Sequence, residues 1–220
     1  MVDDSEIPEQ LSLFPGSPNK RETKKTNIYF DTNQLYYIRR IAEESQGQEF
    51  GDYGWAYRLF PRKPALVQDI RALCYIVALQ YEWELDFSSS DASFTEVSLS
   101  GGKRAQATRD AWILFTQGLR EEQPSRLVAF LPHWPVSGRL GFEFVNDQDD
   151  RVILRHFAST SAHVLLTSDS DILRHKERLE NLQLTVMRPH EWLNDFLKDH
   201  LRSGEDAVDW LERILFGIGQ

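Results

Sequence analysis

Residues 150–173 read DRVILRHFASTSAHVLLTSDSDIL. Ile153, Leu154, Phe157 and Ala158 follow Asp150 at helical spacing, so a helix starts near that acid. HVLLT (163–167) is a short apolar run and reads as a strand. The polar TSDSD (167–171) comes next, and DILRHKERLENL reads as a further helix. The order is helix, strand, helix, with acids at both junctions.

The same grammar runs outward in both directions. Upstream, NIYFD (27–31) reads as a strand and 32–44 as a helix, with Leu35, Ile38 and Ile41 spaced by three. The segment 45–62 has glycines and aromatics without a period and reads as a loop. Pro64 suits the first turn of a helix that Leu66, Ile70, Leu73 and Val77 carry to about Gln80. EWELDF (82–87) alternates like a strand. Helices are expected from about Ser90 and over about 103–119, broken near Gly101-Gly102. RLVAFL (126–131) fits helix or strand, and a short strand is expected at 140–145. Downstream, LTVMR (184–188) is a strand, Pro189 opens a short helix, and 204–216 is a last helix with Ala207, Trp210, Leu211, Ile214 and Leu215 on one face. Strands alternating with helices predict an α/β fold, a three-layer α/β/α arrangement around a central, mostly parallel sheet.

The chain has 220 residues, 41% of them hydrophobic, which suits one substantial domain. Residues 1–26, with Pro8, Pro15 and Pro18, read as a flexible tail. The domain is expected over 27–200, and 201–220 as a C-terminal helix packed on it or on a partner. The opening MVDDSEIPEQ has no apolar h-region, so no secretory leader is expected. No apolar run approaches the roughly 20 residues of a membrane span. The lone Cys74, inside the apolar run 71–79, reads as a buried thiol, and this cysteine usage fits a cytoplasmic protein. A net charge of −9 argues against coating nucleic acid by bulk attraction, but leaves room for an enzyme that grips it locally. Glycine-rich phosphate loops and the Gly-x-Ser-x-Gly elbow are absent from the sequence.

In parallel sheets, ligands collect beyond the C-terminal strand ends. Asp31 and Asp169 sit there, while Glu96 and Asp150 stand near helix starts. Each has an ordinary explanation. Asp31 and Asp169 suit N-caps, Ser93-x-x-Glu96 fits a capping box, and Asp150 is one of several acids at a helix start. The functional case rests on their occurring together and in order.

IYFDTNQL (28–35), SDASFTEV (90–97) and the block 150–173 together resemble the PIN-domain family of metal-dependent nucleases. The resemblance covers about 27–193. It implies metal-binding, catalytic carboxylates at Asp31, Glu96, Asp150 and Asp169, with Asp171 as a further ligand that varies in the family. Thr32, Asn33 and Thr167 match its polar helpers. The long loop 45–62, the sequence around 121–147 and the C-terminal helix depart from compact members. All-oxygen ligation suits Mg²⁺ or Mn²⁺. The expected activity is endoribonucleolytic hydrolysis of single-stranded RNA. Alternatives are a PIN-like RNA-binding or regulatory module of little activity, or the toxin of a toxin–antitoxin pair masked by a protein inhibitor. A haloacid-dehalogenase-like site would need an acid at position 33, where this chain has Asn33.

Candidate phosphate-gripping cations are Arg39, Arg40, Arg58, Arg62, Lys63, Lys103 and Arg104, each also explicable as a solvated surface charge. Tyr53, Trp55 and Tyr57 could stack unpaired bases or plug the loop onto the domain. Trp210, Leu211, Ile214 and Leu215 suit a homodimer face or a fold-back onto the domain.

Overall fold

The computed structural model of the chain describes residues 26–45, 53–80, 83, 85–90, 129–131 and 141–216. Residues 1–25 of the expected tail and 91–119 of the expected helices, with Glu96, Lys103 and Arg104, lie outside the described residues, while Thr26 begins one strand and Ser90 ends another. Strand β1 (Thr26–Phe30) ends where Asp31 turns the chain into helix α1 (Thr32–Ser45). The expected strand thus begins and ends one residue earlier. Helix α3 (Pro64–Leu79) begins at its proline as expected.

The segment 45–62 is not wholly a loop: α2 (Gly54–Leu59) lies within it and buries Trp55 and Ala56. Six residues are too few for a period to register, and such a helix holds only by packing. The second strand, β2, is Leu85–Ser90 rather than 82–87. It runs through three serines, which weak strand propensity hides. Their hydroxyls are satisfied sideways: Ser88 and Ser89 donate to the Ile28 and Phe30 carbonyls of β1 at 3.3 and 2.8 Å. Of the ambiguous run 126–131, Ala129–Leu131 is strand β3.

The strand expected at 140–145 is absent from 141–145. Phe142 and Val145 are fully buried there in a turn. Arg151 fastens that turn, donating to the Val145 and Asn146 carbonyls at 2.6 and 3.1 Å. The remaining elements are α4 (Gln148–Ala158), β4 (Val164–Leu166), α5 (Ser170–Leu173), α6 (Lys176–Glu180), β5 (Val186–Met187), α7 (Pro189–Leu197) and α8 (Ala207–Phe216). The single helix expected over 171–182 is two. Phe144 packs against the break, with His175 at 5.1 Å and the Arg178 guanidinium at 4.3 Å from its ring.

The five strands pair in the order β3-β2-β1-β4-β5, every pairing parallel. Alternation along the strands separates two cores. Ile28, Phe30, Val164 and Leu166 face α1, α3, α7 and α8 in one. Tyr29, Leu165 and Val186 face Leu154, Phe157, Ile172 and Leu179 in the other. The sheet is therefore covered on both faces. Helix α8 packs on α7 and α3 through Ala207, Val208 and Leu211, which sit in the first core. No described helix is long and apolar enough to cross a membrane.

Candidate functional site

The strand order makes β1 and β4 the place where successive crossovers part. From β1 the chain moves outward to β2 and β3, then returns to the other side for β4 and β5. Such a switch point opens a crevice beyond the carboxyl ends of the two strands. Phe30 pairs with Leu166, so Asp31 and Thr167 leave the sheet side by side. The Asp31 amide closes the ladder onto the Leu166 carbonyl at 3.3 Å.

Asp31 is 1% exposed and caps α1, its Oδ1 accepting from the Gln34 amide at 3.0 Å. Its Oδ2 accepts from the Thr167 hydroxyl. That hydroxyl also accepts from the Asp169 amide at 2.9 Å, so one side chain ties both acids together. Asp169 in turn caps α5, accepting from the Asp171 amide at 2.6 Å. The ordinary capping explanation is therefore correct for both acids, and each carboxylate oxygen still has a lone pair to spare.

Asp150 differs. The N-cap of α4 is Asp147, which accepts from the Asp149 amide at 2.7 Å. Asp150 stands in the first turn with Asp149, as expected of an acid at a helix start, and is not the cap. Burial, then the charges of Asp169, Asp147, Asp31 and Asp171, push its carboxyl up to about 7. Burial likewise pushes Asp31 up to about 6. Hydrogen bonds from Thr167 and from the Gln34 and Asn33 amides oppose the rise, and the charge of Asp169 adds to it. Asp31, Asp150 and Asp169 thus share one electrostatic field. Asp171 adds to it while pairing with Arg174 at 2.9 Å. Thr32 and Asn33 open α1, and the Asn33 amide bonds Asp31.

The donor chemistry fits a hard divalent cation: oxygen atoms alone, two of the acids disfavouring their charged forms without a counter-charge. Among the described residues, no three His, Cys, Asp or Glu side chains are gathered closely enough to hold an ion between them. Mg²⁺ ordinarily takes one or two carboxylates and keeps its remaining waters, and these residues suit that mode.

Several expected nucleic-acid contacts are not available. Arg39 is 7% exposed and pairs with Glu43 at 3.5 Å. Trp55 is 1% exposed and lies under the Arg40 guanidinium, 4.6 Å from its ring centre, so it offers no base a platform. Arg40 also pairs with Glu44 at 3.6 Å. Tyr53 donates to Glu212, which leaves Tyr57 and Arg58 as the exposed members of that group. Sequence reasoning missed Asp69, Ser168, Arg188 and His190, which form a polar cluster beside the acids around the buried Asp69 carboxylate. One signal was legible: Asp69 lies three residues after Leu66 and four before Leu73, on an apolar helix stripe.

Comparisons of the chain with family models, with curated proteins and with solved structures found no match.

Proposed function

We propose that the chain is a PIN-like nuclease that hydrolyses phosphodiester bonds of single-stranded RNA with Mg²⁺ or Mn²⁺. The observation that carries this reading is that Asp31 and Asp169 leave neighbouring parallel strands tied through the Thr167 hydroxyl, with Asp150 in the field of both, so that burial and mutual repulsion hold two carboxyls high. Asp31 and Asp169, fixed through Thr167, would hold the cation, with Asp150 bonded to it directly or through water. Glu96, by resemblance, would complete the acid set. A divalent ion there supplies charge to polarise the phosphate and to lower the pKa of a water. The residues' own work is to hold that charge in a fixed place and keep the turn after β4 rigid. Arg58 and Tyr57 are the described, exposed groups best suited to meet an RNA strand.

The rival reading is an RNA-binding or regulatory module of little activity. It draws on the lack, among the described residues, of a three-ligand cluster. One assay separates the two. Purified protein is incubated with labelled single-stranded RNA or DNA, with Mg²⁺, Mn²⁺ or chelator. RNA cutting that needs metal and falls in Asp31→Asn and Asp169→Asn is the expected result. The fall should be on the order of 100-fold, since several kcal/mol of charge stabilisation is at stake. RNA bound but uncut under every metal supports the module, and cutting indifferent to both substitutions defeats the proposed site.

A further inference from the structure

We propose that Asp69 is a positioning residue for the carboxylate site, acting through Ser168 on the turn that carries Thr167 and Asp169. The proposal rests on the reading of that site given above. Asp69 is fully buried on α3, between Val67 and Ile70, in the apolar core. A lone carboxylate there would be strongly disfavoured, so its partners matter. It has a full set. The Arg188 guanidinium donates from one terminal nitrogen at 2.7 Å and from Nε at 3.4 Å. His190 Nδ1 lies 2.6 Å from Oδ1, and the Ser168 hydroxyl donates to Oδ2 at 2.8 Å. Four donors match the roughly four acceptor positions of a carboxylate.

The donors come from strand ends. Ser168 follows β4, while Arg188 and His190 follow β5 on either side of Pro189, whose fixed φ stiffens that turn. Asp69 thereby locks α3 to the carboxyl ends of two neighbouring strands. The network continues toward the acids. Ser168 Oγ accepts from Gln34 Nε2 at 3.0 Å, and the Gln34 amide is the one bonded to Asp31. On the other side of Ser168 are Thr167, bonded to Asp31, and Asp169 itself. A buried ion pair adds little stability over an apolar replacement. What this one adds is a further fixed point for a turn that Thr167 also holds, through its bonds to Asp31 and to the Met187 carbonyl. Supporting bonds of this kind typically set ligand affinity or activity by about 10- to 100-fold.

The test uses the full chain with Ser168→Ala, Ser168→Thr and Asp69→Asn. Ser168→Ala removes one hydroxyl and leaves the Asp69–Arg188 pair intact, so it remains informative where Asp69→Asn fails to fold. Three readouts are taken: amide exchange at Gln34 and Asp169, Mn²⁺ affinity from the EPR signal of free Mn²⁺, and kcat and KM on single-stranded RNA. Ser168→Ala should speed exchange at those two amides, weaken Mn²⁺ about tenfold, and lower kcat about tenfold at unchanged KM. Ser168→Thr, which keeps the hydroxyl, should restore all three. Unchanged exchange and Mn²⁺ affinity in Ser168→Ala overturn the positioning role, even where wild type cuts RNA. A wild type that neither binds Mn²⁺ nor cuts RNA overturns the nuclease reading, and the positioning role is then decided by amide exchange alone.

Discussion

Asp31 caps a helix in a way that leaves room for the ligand role proposed for it. Its Oδ1 caps α1 and its Oδ2 meets Thr167, so the carboxylate is held in place by the helix it starts. Capping and ligation use different lone pairs, and the cap orients the group. Its setting has a consequence for pH. Asp31 and Asp150 are raised to about 6 and about 7, so the folded chain binds these protons more tightly than the unfolded chain. Their contribution to stability is fully present below the ordinary carboxyl value of 3.8. It is lost as pH rises through about 6 and about 7. In chelator, the Tm of wild type should therefore fall from about pH 5 to about pH 8 by on the order of 5 °C more than that of Asp31→Asn. Equal slopes in thermal scans of the two proteins would show that Asp31 carries no such strain.

At the scale of elements, α8 explains the segment before α3. Glu212 on α8 accepts from Tyr53, from Arg71 at 2.9 Å and from Tyr75 at 3.2 Å. Burial raises its carboxyl, but the bonds from Tyr53 and Arg71 outweigh that and hold it below its ordinary value. One carboxylate thus joins the C-terminal helix, the entry to α2 and the middle of α3. Of the aromatic cluster that looked fit for bases, Tyr53 belongs to this clasp, Trp55 is buried under Arg40 and Tyr57 is exposed. Glu212→Ala should lower unfolding free energy in urea by about 2 kcal/mol, and Glu212→Gln by less, because the site is only partly buried. The turn into α8 is built the same way. Asn194 receives the Ala207 amide at 2.7 Å, Asp206 caps the helix, and Gly204 takes a left-handed φ of 79° that suits glycine. The helix expected to fold back or to dimerise folds back through Ala207, Val208 and Leu211, leaving Ile214 and Phe216 exposed.

For the whole molecule, the proposed carboxylate site at the sheet switch point predicts a stability that depends on divalent cations. With Mn²⁺ at about 100 times its dissociation constant, mass action should add about 2.7 kcal/mol, read as a rise in Tm that Asp31→Asn abolishes. No rise at neutral pH in wild type would show that the acids hold no metal. Local sequence determined much of this molecule. Apolar periodicity marked α1, α3, α4 and α8, because periodicity records which face each element buries; Pro189 marked the start of α7, and short apolar runs ending near acids marked β1 and β4 and placed Asp31 and Asp169 at strand exits. Tertiary structure decided the rest. The serines of β2 form a strand because β1 and β3 pair with it on either side, and Ser88 and Ser89 donate their hydroxyls to β1 carbonyls. Trp55 and Arg39 are withdrawn from solvent by packing that their neighbours in sequence do not record. Asp31 meets Thr167 because Phe30 pairs with Leu166, and Asp69 meets Ser168 across 99 positions of chain. Strand order and register arise from long-range pairing, and that pairing sets Asp31 beside Thr167 and, through it, Asp169.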